Sequence, residues 1–210
     1  MKYNEYRGIR CLVLAEITSD NGTYVAGNWE RLSGVQALAR NSTESSETHF
    51  YDNKPAIVID AEGSDELTMT VSILANKTRA RIDGVSYDEG TDMIVGTPKK
   101  KKYFAVGYIG EKTDGTEELN IFYKGKFTGG NETHNTKDDG TEATNVEYTY
   151  TGIHTSSNIY TENGTKTSAK NIKVPLTDKV TEASIFGEFD ETGVSDKTVL
   201  TPDEIKALGA

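Results

Sequence analysis

Residues 102–127 read KYFAVGYIGEKTDGTEELNIFYKGKF, and no other stretch of the chain is so strongly patterned. Two aromatic-rich runs, Tyr103–Ile109 and Leu119–Phe127, flank an Asp114-Gly115-Thr116 turn, the sequence form of a β-hairpin. Both runs are apolar on both faces. Phe104, Val106 and Tyr108 oppose Tyr103, Ala105 and Ile109, and Ile121 and Tyr123 oppose Phe122. A strand with one wet face alternates more cleanly, so this hairpin is expected between two layers or against another subunit. It carries no reactive residue, which points to packing rather than catalysis.

Composition bounds the rest. A chain of 210 residues is one domain, long enough to bury roughly 70% of its unfolded surface. Leu, Ile, Val and Phe number only 43, while 27 threonines and 11 tyrosines favour pleated, half-buried surfaces. These proportions predict a β-rich fold with a thin core that gains order from neighbours. The net charge of −10 is uneven: residues 41–66 carry −6 and 176–210 carry −5, while the remainder is nearly neutral. Such a chain lacks the basic footprint of a nucleic-acid-gripping protein. Cys11 is the single cysteine, so no disulfide framework exists, and its apolar surroundings predict a buried, inert thiol. Neither a signal-peptide pattern nor an 18-residue apolar span is present, and synthesis and folding in a cytoplasm are expected.

Period-2 alternation appears in Glu66–Ile73, where Leu67, Met69, Val71 and Ile73 oppose Glu66, Thr68, Thr70 and Ser72. It recurs in Asn145–Thr151, where Val146, Tyr148 and Tyr150 oppose Glu147, Thr149 and Thr151. Each predicts a strand with one buried and one wet face. Other strand candidates are Ile9–Ile17, Val35–Arg40, Ala56–Asp60, Asp92–Val95 and Asn171–Val174. Asn21-Gly22-Thr23, Asn163-Gly164-Thr165 and Asp139-Gly140-Thr141 are further turns. Helix is scarce: Asn76–Asp83 closed by Gly84, and Pro202–Leu208 behind a Thr201/Glu204 capping box. The polar, acidic stretch Asn41–Ser64 is expected to be a long loop between strands.

Candidate chemistry is sparse. His49, His134 and His154 lack ligand spacing, and no nucleophile elbow, phosphate loop or dinucleotide fingerprint occurs. Asp88-Glu89 and Asp138-Asp139 lack the alternating spacing that wraps calcium. No catalytic residue, metal ligand or cofactor is assigned, and the chain is not expected to be an enzyme. Trp29 is either a sugar platform or a core or interface anchor. Lys99–Lys102 has three readings: a phosphate binder, a run protecting a strand edge, or a partner for the acidic segment 41–66 of a neighbouring copy.

Several patches, in order, resemble the major tail proteins of long-tailed, non-contractile bacteriophages, the subunits of the tail tube. They are Phe50-Tyr51-Asp52-Asn53, Glu66–Ile73, Ala80–Gly84, Tyr103–Tyr108, Asp114-Gly115, Phe122–Phe127 and Thr136-Lys137 before the Tyr148 strand. The resemblance runs from about residue 8 to 175, so residues 1–175 form the expected tail-tube domain. Residues 176–210 remain as an acidic C-terminal extension with a short terminal helix.

The resemblance implies a mainly β, tail-tube-type β-sandwich or barrel with one short flanking helix and a long inter-strand loop. Six copies would close a ring whose inner strands form one barrel, and rings would stack into a hollow tube for DNA. The loop 41–64 would reach the adjacent ring. Inter-subunit contacts are then expected at Glu44, Glu47, Phe50, Asp52, Asn53, Lys99, Lys100, Lys101 and Lys102. The wet faces carrying Glu66, Thr68, Thr70, Glu147 and Thr149 become the expected lumen surface. Partners would be further copies of the chain, tape-measure and tail-completion proteins, and DNA in transient, non-binding passage, without membrane insertion. The place would be the virion tail, assembled in the bacterial host cytoplasm. A monomeric β-sandwich that recognises carbohydrate or a cell surface is the alternative from another functional class.

Overall fold

A computed structural model describes residues 3–52, 54–132, 134 and 145–209. It is mainly β, with 56% strand and 11% helix. In chain order the elements begin with β1 (Tyr6–Asn21), β2 (Thr23–Ala26), β3 (Asn28–Arg31), β4 (Val35–Tyr51) and β5 (Lys54–Val71). Helix α1 (Asn76–Asp83) precedes β6 (Ser86–Asp88), β7 (Met93–Val95), β8 (Phe104–Lys112), β9 (Glu117–Asn131) and β10 (Val146–Gly152). The last third holds β11 (Tyr160–Glu162), β12 (Thr165–Thr167), β13 (Asn171–Pro175), α2 (Glu182–Phe186), β14 (Val194–Thr198) and α3 (Pro202–Gly209).

One antiparallel sheet organises the described residues, in the order β14-β3-β1-β8-β9-β10-β5-β4, with β13 added to β9 and β2 to β1. The sheet curls until β4 lies back against β1, where Ile9, Val35 and Leu38 pack on the same cluster as Leu12 and Leu14. No backbone pairing between β1 and β4 closes this seam among the described residues. The result is a partly closed barrel.

Residues 102–127 form the β8–β9 hairpin, in register from Phe104↔Gly125 to Glu111↔Glu117. Its doubly apolar pattern has a direct cause: it lies between two cores. Phe104, Val106, Tyr108, Phe122 and Phe127 face the barrel interior with Leu67, Met69, Tyr148 and Tyr150. Ala105, Ile109, Leu119, Ile121 and Tyr123 face outward onto a second cluster with Trp29. Aromatic edges interlock within the first, as in Phe127–Tyr150 at 5.1 Å between centroids, a contact type contributing about 0.5–1.5 kcal/mol beyond area burial. Two glycines make this packing possible. A Cβ on Gly125 would meet the Tyr150 ring at 2.4 Å, and one on Gly107 the Phe186 ring at 2.7 Å.

Four sequence expectations need correction. The body is not thin, because both faces of its central strands are buried. Residues 176–209 are not set apart from it: Val180, Ile185, Phe186, Val199 and Ile205 belong to the second cluster. The stretch 41–64 is no loop but the outer half of a β4–β5 hairpin, paired from Ser42↔Asp65 to Tyr51↔Lys54. Ile73 lies beyond the end of β5 and is 72% exposed, because the chain turns there toward α1. The turns at Gly22 and Gly164 join β1–β2 and β11–β12 as expected, whereas Asp139-Gly140-Thr141 and Thr136-Lys137 lie outside the described residues. The Thr201 capping box forms, with Thr201 N donating to Glu204 Oε2 at 2.7 Å. The sequence did not signal α2, a single turn capped by Thr181 and Ser184.

Candidate functional site

Three surfaces carry the residues singled out above. The first is the outer face of β9, β10, β5 and β4. With Leu67, Met69 and Val71 turned into the barrel, alternation directs Glu66, Thr68 and Thr70 outward. Cross-strand partners share a face, so Thr151, Thr149 and Glu147 stand beside them on β10, and Asn41, Ala39 and Ala37 on β4. Beyond β10, Thr128 and Lys126 continue the face onto β9. The fold thus brings Glu66, Thr68, Thr70, Glu147 and Thr149 onto one polar surface.

The second is the arm, the paired segments 42–51 and 54–64 that run past the end of β10. At about 3.3 Å per residue it projects roughly 30 Å. Neither face is covered along its described residues: Ile57, Val58 and Ile59 are 50%, 58% and 53% exposed, and Tyr51 is exposed too. Glu44, Glu47, Asp52, Asp60 and Glu62 stand against the single cation Lys54. Glu44, Glu47 and Asp52 are exposed, whereas the Phe50 side chain and Asn53 lie outside the described residues.

The root of the arm is pinned. Asp65 is fully buried, with its Oδ2 3.1 Å from Arg40 Nη2 and 3.4 Å from Lys170 Nζ. Lys170, also buried, reaches Glu62 at 2.5 Å and donates to the Gly63 carbonyl at 3.2 Å. His154 Nε2 lies 3.2 Å from the other Glu62 oxygen. Burial drives the Asp65 carboxyl up, but the Ser42 hydroxyl and the two cations outweigh it and hold it below the usual range.

The third surface is the lysine run. Its backbone is tied to the C-cap of α1, with Lys100 N donating to Gly84 O at 2.8 Å. Lys102 lies 2.6 Å from Glu16, within a chain that continues through Arg81 to Glu30. Lys101 donates to the Phe127 carbonyl at 2.6 Å, and burial together with Lys99 and Lys126 lowers its ammonium pKa. Two of the four lysines are therefore engaged within the subunit. Lys99 and Lys100 are exposed.

Other candidates resolve simply. Trp29 is fully buried edge-on to Phe186, so it serves as a core anchor and offers no sugar platform. Cys11 sits at a bulge in β1, and burial, followed by Glu182, pushes its thiol up to about 12. It remains protonated and unreactive at neutral pH. Among the described residues no group of three or more His, Cys, Asp or Glu could hold a metal ion, and no helix is long and apolar enough to cross a membrane.

Sequence reasoning missed a groove of about 440 Å³ between β13, Tyr160 and α3. Ile172, Val174, Val180 and Ile205 give it an apolar floor; Lys173 and Lys206 line it, and among the described residues no carboxylate does. Its walls meet only through the tertiary fold, so no local pattern could have shown it. No family model matches the chain, and no curated protein matches it.

Proposed function

We propose that this chain is a self-assembling structural subunit of a phage tail tube, closing hexameric rings that stack into a hollow conduit for DNA. The observation that carries this reading is the arm. A two-stranded ribbon with both faces wet is marginal in water, and here it projects with three consecutive bare aliphatic residues. Such a ribbon is completed by contact with another copy. The curled sheet supports the same reading, because its polar outer face contains Glu66 and Glu147 on strands suited to lining a channel. At −10 per chain a ring of six carries about −60, and acidic walls repel DNA phosphates rather than hold them. The carbohydrate-binding alternative loses its main support with the burial of Trp29. Sedimentation and negative-stain microscopy of the purified protein test the proposal. Rings or tubes are expected, and a single 23.0 kDa species at every concentration would overturn it.

A further inference from the structure

The arm of one copy needs a receiving surface on another, and the structure offers a better one than the lysine run. We infer that the apolar strip of the arm, Ile57 and Ile59, docks in the groove between β13 and α3 of a second copy. This inference rests on the assembly reading above and names the contact through which assembly proceeds.

Four observations carry it. First, β13 has a free edge among the described residues. Tyr123 N donates to Lys170 O and Leu176 N to Glu117 O, so the even residues of β13 exchange with β9. The amides of Asn171 and Lys173 then point away, open to an added strand. Second, the arm has a matching open edge. β10 pairs only with Asp65–Val71 of β5, which leaves residues 57–61 bonded to β4 on one side alone. Third, the side chains match in spacing: Ile57 and Ile59 lie two residues apart on one ribbon face, as Ile172 and Val174 do on the groove floor. Fourth, the charges are opposite. Glu47 stands across from Ile59 and Asp60 follows it, whereas Lys206 lines the groove and none of its described lining residues is acidic; Lys173, also in the lining, is shared with Glu118 at 3.7 Å.

The chain's own arm does not fill its own groove, since Ile57 and Ile59 are about half exposed and absent from the lining. Arm and groove are separate, complementary surfaces on one chain, the arrangement that gives head-to-tail association. The C-terminal segment gains a role here. Val180, Pro202, Ile205 and Lys206 form one wall of the groove, so residues 176–209 help to build the receptor.

The test uses full-length protein with Cys11→Ala as reference. Copies carrying Ile59→Cys are mixed with copies carrying Lys206→Cys, or with copies carrying Lys100→Cys, and treated with a short bis-maleimide. Dimers across Ile59→Cys and Lys206→Cys are expected, without dimers to Lys100→Cys. A separate Ile57→Asp/Ile59→Asp variant is expected to weaken association about tenfold or more while keeping its circular dichroism spectrum. Cross-linking to Lys100→Cys instead, or to neither site, overturns the docking. If the reference protein forms rings or tubes in that case, the assembly reading survives alone. If dimers link through Lys206→Cys but no rings or tubes form, the docking stands and the tube reading falls.

Discussion

Asp20 shows how single side chains tie distant segments of this fold together. At the far end of β1 its Oδ2 accepts from Lys124 Nζ at 2.5 Å and Ser156 N at 2.7 Å, and its Oδ1 accepts from Ser157 N at 2.8 Å. Burial raises the carboxyl, but the ammonium and the two amides outweigh it and bring it down to about 2. An unfolded Asp titrates near 3.9, so this stabilisation is complete above about pH 4 and is lost as pH falls through about 2. Urea unfolding across pH should show Asp20→Asn less stable by about 2 kcal/mol at pH 7, with the difference closing toward pH 2. A difference independent of pH would show that the carboxylate charge is not the source. Nothing around Asp20 in the sequence names Lys124 or Ser156 as partners. Leu67, Met69 and Val71, by contrast, were legible as core from alternation alone, because a strand with one buried face writes its burial into every second residue.

Among the elements, the arm is where sequence reading stopped short. Ser42–Glu47 is polar throughout and Ile57–Ile59 apolar throughout, so neither strand alternates. Alternation reports a buried face, and the arm has none within one copy. The same property makes it dispensable to the body. Replacing Ser45–Ala61 with Asn-Gly, which keeps Glu62 and the pin at Lys170, should move the melting temperature by no more than about 4 °C while abolishing assembly in sedimentation. Large destabilisation would mean that the arm helps to hold the barrel. The lysine run predicts a contrast within four residues. Lys99→Glu/Lys100→Glu should leave thermal stability nearly unchanged, since both side chains are exposed. Lys101→Glu/Lys102→Glu should lower the melting temperature by several degrees, because it breaks the Glu16 pair and the bond to the Phe127 carbonyl. Equal effects in the two variants would contradict the internal use of Lys101 and Lys102.

For the whole molecule, charge placement is the property with functional reach. If the face with Glu66 and Glu147 lines the tube, Glu66→Lys/Glu147→Lys should still assemble, since neither residue belongs to a core. The resulting tubes should retain short duplex DNA at about 50 mM salt and release it near 200 mM, as phosphate contacts do. Tubes of this variant that ignore DNA at low salt would place that face on the outer wall.

The doubly apolar hairpin at 102–127, the alternating strands, the turns and the capped last helix follow from local order along the chain. Pattern, turn chemistry and capping act over a few residues, so they can be read without a fold. The tertiary structure alone added the second core closed by residues 176–209, the buried pin at Lys170 and Asp65, and the groove beside β13. Each joins side chains from separate parts of the chain, and the curl of the sheet is what brings them within bonding distance.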